Sequence, residues 1–222
     1  MQERFELLFL VYADEKYELF VTPYIWFALS TNPESAVEVV LKNKKGFEEK
    51  RYESLKLLKK QFGDRFRLTQ STYGNSNIIP NTIRFIETPT IKAKHLYIGD
   101  IDILVLQNVM DVHTEIMEVN DMSYSNKIRN KDDAKPRMTG LHFCKYDDYY
   151  PLPPLDGISL ETENDEHVLY LLLRAKNIDI NYENRTRPLC GLHVSLNRDP
   201  FGRTSGFCNK SFKTTNNVKW GD

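Results

Sequence analysis

Three cysteines are all that the 222 residues contain, and Cys144, Cys190 and Cys208 show no CxxC spacing. An odd number cannot all pair, so no disulfide framework is expected and a reducing compartment is. Charge of one sign is equally absent: 30 Lys and Arg stand against 31 Asp and Glu, for a net charge of −1. A duplex nucleic-acid binder would show a basic excess, so no nucleic-acid partner is expected. The opening MQERFELLFLVYADEKY holds an apolar run of about seven residues, too short to span a membrane, and lacks a small-residue cleavage site. No repeat, low-complexity tract or Gly/Ser linker divides the chain. What remains is an ordinary soluble composition, 41% apolar and 27% charged. A chain of this length buries roughly 70% of its extended surface and needs no staples. It reads as one soluble, cytoplasmic domain.

Phe5–Tyr12 is apolar but for Glu6, as in a strand buried on both faces of a parallel sheet. Tyr24–Ser30 reads as a helix stopped by Thr31-Asn32-Pro33, and Ala36–Leu41 as a second strand. Phe47–Phe62 carries Phe47, Leu55, Leu58 and Phe62 among Glu and Lys, which predicts one surface helix closed by Gly63. Phe66–Thr69 is a short strand, and Pro80–Glu87 a short helix with Pro80 in its first turn. His95–Leu106 reads as a central strand interrupted at Gly99–Asp102. Alternating strands and helices predict an α/β domain with a mostly parallel central sheet flanked by helices. In the second half, Met138–Cys144 and Leu189–Ser195 look like strands. Glu161–Ala175 looks like one helix capped by Thr162 or Asn164.

Charge is uneven along this second half. Asp156–Glu166 holds five acids and no base, and Arg198–Asp222 five bases against two acids. The base-rich tail reads as solvated, with peripheral membrane contact as the alternative.

The chemistry concentrates in Lys94-His95-Leu96-Tyr97-Ile98-Gly99-Asp100-Ile101-Asp102-Ile103-Leu104. Two carboxylates inside an apolar strand are costly to bury. A divalent cation offsets that cost, and hard oxygen ligands suit Mn²⁺ or Mg²⁺. The other reading is a strand-terminal turn in which the aspartates cap local N–H groups.

The order of segments around it is informative: Tyr12-Ala13-Asp14-Glu15-Lys16-Tyr17, then Asn81-Thr82-Ile83-Arg84-Phe85, then Tyr97–Asp102. Arg137-Met138-Thr139-Gly140-Leu141, Asn164-Asp165-Glu166-His167 and Gly191-Leu192-His193-Val194-Ser195 follow. This order resembles the type A glycosyltransferases, most closely the family 8 branch with glycogenin and bacterial lipopolysaccharide galactosyltransferases. The resemblance spans roughly residues 7–201 and implies a Rossmann-like nucleotide-diphospho-sugar transferase fold. It implies a nucleotide half over about 1–106, a donor-sugar and acceptor half over about 107–205, and a basic tail at 206–222. It further implies a metal site of Asp100, Asp102 and His193, loaded with Mn²⁺ or Mg²⁺. The nucleotide-sugar donor, a UDP-sugar, would lie against Tyr12, Ala13, Asp14, Tyr17, Arg84, Asp100, Ile101, Thr139 and Gly140. Arg84, Asp165 and Glu166 would take catalytic roles. The family's late motif places Lys and Gly where this chain has Asp199 and Leu196, so Arg198 would supply the positive charge toward the diphosphate. Gly99 is an insertion relative to the family's strand motif. Implied with the family are transfer to a glycan or lipid-linked glycan acceptor, a part in surface polysaccharide biosynthesis, and retention of anomeric configuration.

Each residue keeps a plainer reading. Tyr17 is one of twelve tyrosines and packing would explain it. His193 on a short strand would pass for a core histidine. Acids at Asp165 and Glu166 are favoured by the helix dipole alone. His95 and His113 read as structural; His167 stays open between a site and a structural role, and His142, on the strand expected to floor the donor sugar, faces either the donor or the core. Two other functions remain open: a sugar nucleotidyltransferase, disfavoured by the lack of glycine in Tyr12–Tyr17, and a non-catalytic nucleotide- or glycan-binding module.

Overall fold

In the computed structural model, residues 5–129, 134–184, 188, 190–194 and the backbone of 212–213 are described. The strands and helices in chain order are β1 (Phe5–Ala13), α1 (Val21–Thr31), β2 (Ser35–Leu41), α2 (Lys44–Lys50), α3 (Tyr52–Phe62) and β3 (Phe66–Gln70). Next come α4 (Pro80–Ile86), β4 (Ala93–Ile98), β5 (Ile103–Val105), α5 (Met110–Val119), β6 (Tyr124–Ser125), β7 (Ile128–Arg129) and β8 (Arg137–Met138). The chain continues through β9 (His142–Lys145), α6 (Tyr146–Tyr149), α7 (Asp165–Ala175), β10 (Gly191–His193) and β11 (Phe212–Lys213).

The main sheet has the order β3-β2-β1-β4-β9-β6. Its first four strands are parallel, while β9 runs antiparallel to both β4 and β6. Both faces are covered, which explains the unbroken apolar run Leu7–Ala13 of β1. Leu7, Phe9, Val11 and Ala13 enter one core with α1, α2 and α3 side chains. Leu8, Leu10 and Tyr12 enter the other, beneath Phe85 of α4 and Val168 and Leu172 of α7. The fold is thus the expected α/β sandwich around a mostly parallel sheet. Two buried carboxylates are structural: Glu38 accepts from the amides of Thr90 and Ile91 at 2.9 Å, and Glu87 from Ser71 and Thr72 at 2.7 Å.

Four expected boundaries are corrected. The single helix over Phe47–Phe62 is two, broken at Arg51 (φ −114°, ψ 17°). In an unbroken helix the charged Arg51 would interrupt the buried stripe from Phe47 to Leu55, whereas the break leaves it exposed. His95–Leu106 is not one interrupted strand: β4 belongs to the main sheet, whereas β5 leaves it to pair with β10. Met138–Cys144 is split into β8 and β9, with Thr139–Leu141 between them. The helix expected from Glu161 starts at Asp165, because the Asn164 side chain caps it by accepting from the Glu166 amide.

Candidate active site

In a parallel sheet of this order the chain changes direction between β1 and β4, and ligands bind beyond the carboxyl ends of the strands at that point. A cleft of ≈ 200 Å³ opens there. Tyr12, Asp14 and Tyr17 reach it from the end of β1, Pro80, Asn81 and Arg84 from α4, Gly99–Asp102 from the end of β4, and His193 from β10.

Arg84 is the hub. It is buried, yet its Nη2 lies 3.0 Å from Asp100 Oδ1 and 3.0 Å from Asp165 Oδ2. Nη2 also reaches the Gly140 carbonyl at 3.4 Å, and Nη1 donates to the Asn81 carbonyl at 2.7 Å. One guanidinium therefore joins α4, the β4–β5 bend, the β8–β9 link and the start of α7. A Cβ at Gly140 would stand 3.0 Å from Nη2, so glycine allows this close approach.

Beside it, Glu166 accepts from the Gly140 amide at 3.0 Å and pairs with Arg129 at 3.2 Å. Burial raises the affinity of Glu166 for a proton above the ordinary carboxylate range, with Arg129 opposing and Asp165 adding to the shift. Below the cleft, Tyr24 is fully buried and its hydroxyl has no hydrogen-bond partner among the described residues. Its phenol is held neutral by burial and then by the negative charge of Asp100.

Asp102 and His193 meet because β5 and β10 pair. The register sets His193 opposite Ile103, and the Val194 amide donates to the Asp102 carbonyl at 2.7 Å. His193 Nε2 then lies 3.4 Å from Asp102 Oδ2. A Cβ on Gly191 would fall 2.2 Å from the Leu104 carbonyl, so the two strands approach only with glycine there. The Asp102 side chain is 8% exposed and has no other partner among the described residues. A carboxylate so placed is short of compensating charge, and with His193 it forms an oxygen–nitrogen pair of the kind Mn²⁺ accepts. The residues fit a cation in donor type. Asp100 lies along the same cleft but turns toward Arg84, and among the described residues no three His, Cys, Asp or Glu side chains converge on one point.

The other expected residues fall as follows. Asp14 Oδ1 accepts from the amides of Lys16 and Tyr17, both at 3.1 Å, which fixes the turn after β1. Tyr17 lines the cleft and leans on Phe20 with ring centroids 6.1 Å apart, so lining and packing coexist. Ala13 is buried and its carbonyl is taken by the Lys42 amide at 3.1 Å. Ile101 is buried at the cleft floor. Thr139 is turned inward: its hydroxyl donates to Asn126 Oδ1 and its amide reaches the same oxygen at 3.1 Å. Arg198 lies outside the described residues.

His95 and His113 stack on Phe143, and His167 accompanies Tyr170 with Nδ1 2.6 Å from the Pro136 carbonyl. His142 is fully buried between Tyr124 and Tyr149, away from the cleft. Sequence reasoning missed Asn81, Tyr24, Asn126 and Arg129. Only Asn81, three residues before Arg84 and so one helical turn away on the same face, left a signal that could have been used.

No family model matches the chain, and no curated protein matches its sequence. The likeness is one of fold. The galactosyltransferase LgtC, solved in complex with donor and acceptor sugar analogues, matches with a TM-score of 0.52 at 11% identity, over 91% of this chain and 92% of LgtC. The glycosyltransferase GlyE of Streptococcus pneumoniae gives 0.51 at 12% identity, over 77% of this chain and 43% of GlyE. This chain thus spans less than half the length of GlyE. An inositol-1-phosphate CTP transferase from T. maritima gives 0.44 at 10% identity, over 80% of this chain and 84% of that one. The shared architecture is the type A nucleotide-diphospho-sugar transferase fold.

Proposed function

We propose that this chain is a metal-dependent glycosyltransferase moving a sugar from a nucleotide-diphosphate donor, a UDP-sugar, to a glycan or lipid-linked glycan acceptor. Surface polysaccharide assembly and retention of configuration belong to the same reading and rest on the resemblance of the ordered motifs, while a cytoplasmic location is proposed from the few unpaired cysteines. The observation that carries the proposal is the nearly buried Asp102, partnered among the described residues by His193 alone, at the point where the strand order reverses. Its support from fold is the match to LgtC along almost the whole of both chains.

Asp102 and His193, completed by Asp100, would hold Mn²⁺ or Mg²⁺. Such an ion supplies Lewis-acid charge against the negative charge that grows on a leaving diphosphate. The chain's own residues do the rest. Tyr17 offers a ring face to the base, and Asp14, with Oδ1 committed to the turn, has Oδ2 for a ring N–H. Arg84 keeps Asp100 and Asp165 at fixed separation, and its guanidinium is the nearest cation to a donor in the cleft. Asp165, held by Arg84, would face the sugar, where a carboxylate would steady positive charge at the anomeric carbon. Glu166, whose proton affinity is raised by burial, is suited to receive the acceptor's hydroxyl proton. Arg198 would meet the diphosphate from beyond the described residues.

The test is a panel of nucleotide sugars incubated with the purified chain, with and without Mn²⁺, following nucleoside diphosphate release and transfer to glycan. Mn²⁺-dependent release with transfer is expected. Pyrophosphate release from a nucleoside triphosphate and a sugar phosphate would instead assign nucleotidyl transfer. Binding without turnover of any donor would assign a non-catalytic module.

A further inference from the structure

α1 lies on the surface of the protein yet holds no charged residue in its sequence VTPYIWFALST. Val21, Tyr24, Ile25, Ala28 and Leu29 are buried, which turns Trp26 (44% exposed) and Phe27 outward. Leu19 precedes them, also exposed. The adjoining α3 buries Leu58 and Phe62 and turns Tyr52 (64%) and Leu57 (65%) to solvent together with Lys56 and Lys60. Trp26 meets Phe62 edge-on at 5.4 Å, which ties the two helices. Four of the six exposed large apolar side chains among the described residues thus sit on two neighbouring helices, and a fifth, Leu19, lies in the short turn that leads into α1.

Charge gathers at the same place. Residues 42–67 carry ten Lys and Arg against four Asp and Glu, in a chain whose net charge is −1. Asp64 and Glu48 are paired, with Lys59 and Lys44. Lys56, Lys60 and Lys92 have no carboxylate partner among the described residues. They line, with Arg67, a groove of ≈ 1100 Å³ along the open edge of β3. Scattered exposed apolar residues need no explanation, but a cluster bordered by uncompensated lysines does. Trp, Phe, Tyr and Leu beside Lys is the chemistry of a surface resting on lipid headgroups: aromatic rings at headgroup depth, ammonium groups on anionic lipid.

We propose that the outward face of α1 and α3 docks on an anionic lipid bilayer. The residues of this face are distinct from those lining the cleft. Leu19 follows Tyr17 by two positions, so a seated molecule keeps the cleft close to the bilayer. The inference goes beyond the proposed reaction and stands or falls apart from it, since binding is read without any sugar donor.

The experiment is vesicle flotation of the full chain with phosphatidylcholine alone and with added phosphatidylglycerol. Binding only to the anionic vesicles, reversed by salt, is expected. Lys56→Gln with Lys60→Gln should weaken partitioning about 30-fold, at the usual contribution of a juxtamembrane lysine. Leu57→Ser should weaken it without changing the melting temperature. With Trp220→Phe as background, Trp26 emission should shift to the blue on vesicle addition. Absence of flotation overturns the proposal. So does flotation unaffected by the two lysine changes, which would assign the contact to the basic tail. So does a dimer in sedimentation that Leu57→Ser dissociates, which would assign the face to a second copy.

Discussion

Replacing Arg84 by methionine removes the one cation that four segments share, while keeping an unbranched apolar stem. The change leaves the carboxylates of Asp100 and Asp165, 30% and 14% exposed, without the guanidinium that lies 3.0 Å from each. It also frees the Asn81 carbonyl, which Nη1 meets at 2.7 Å. Breaking a fully buried pair costs about 3–5 kcal/mol. Asp100 can recover water, so the expected cost is lower, about 2–3 kcal/mol. For a chain of this size that lowers Tm by about 5–10 °C. Adding Asp165→Asn removes one stranded charge, so the double variant should regain about 1–2 kcal/mol relative to additivity. Arg84→Lys should keep part of the stability and little of the transfer, because one ammonium cannot serve Asp100, Asp165 and Asn81 together. Urea unfolding of the wild type, both single variants and the double variant measures all of this. An Arg84→Met variant within about 0.5 kcal/mol of wild type, or strict additivity with Asp165→Asn, would refute the hub.

His142 should set acid sensitivity. Burial pushes its imidazole from 6.5 down to about 3, so its contribution to stability is whole above the unfolded value and is lost as pH falls toward the folded one. At about pH 4.5 the loss should be about 2–3 kcal/mol, and His142→Leu should flatten that part of the urea-midpoint profile; an unchanged profile places the titration elsewhere. Tyr17→Ala should weaken nucleotide binding by about 1–3 kcal/mol if the ring stacks on the base. Calorimetry showing unchanged donor affinity with a lower Tm would make Tyr17 a packing residue. Gly191→Ala should cost about 1–3 kcal/mol, because the new Cβ meets the Leu104 carbonyl and parts β5 from β10. Protected amides at Leu104 and Leu106 in hydrogen exchange would contradict that.

Much of the fold could be read from the chain because burial on both faces leaves a period-free apolar run. The strands read at Phe5–Tyr12 and Ala36–Leu41 were visible for that reason despite Glu6 and Glu38, and Pro80 marked the start of α4 by its fixed φ. The departure of β5 from the main sheet was invisible, since an apolar strand looks the same whichever sheet it joins. That departure brings Asp102 to His193, so the two carboxylates could suggest a cation from the strand itself, whereas His193 as their partner could be reached only through the order of motifs. Arg84 and Asp165, separated by 81 residues, were named for different reasons, and nothing local announced that they touch. Arg129 lay in a polar stretch whose charges gave no periodicity, although it is the cation on Glu166. Thr139 sits in the stretch expected to floor the donor, and its hydroxyl instead satisfies the buried Asn126, a distinction carried only by rotamer.

The central claim is that Asp102 belongs to a cation site serving a nucleotide-sugar transfer, and Asp102→Asn tests it most directly. The change keeps the shape of the side chain while removing its charge, so the fold should persist and melting of the metal-free protein should hold or rise. Mn²⁺ binding followed by calorimetry should weaken by at least about 10–100-fold, and Mn²⁺-dependent nucleoside diphosphate release should all but vanish with it. Wild-type Mn²⁺ affinity together with wild-type release in this variant would contradict the account.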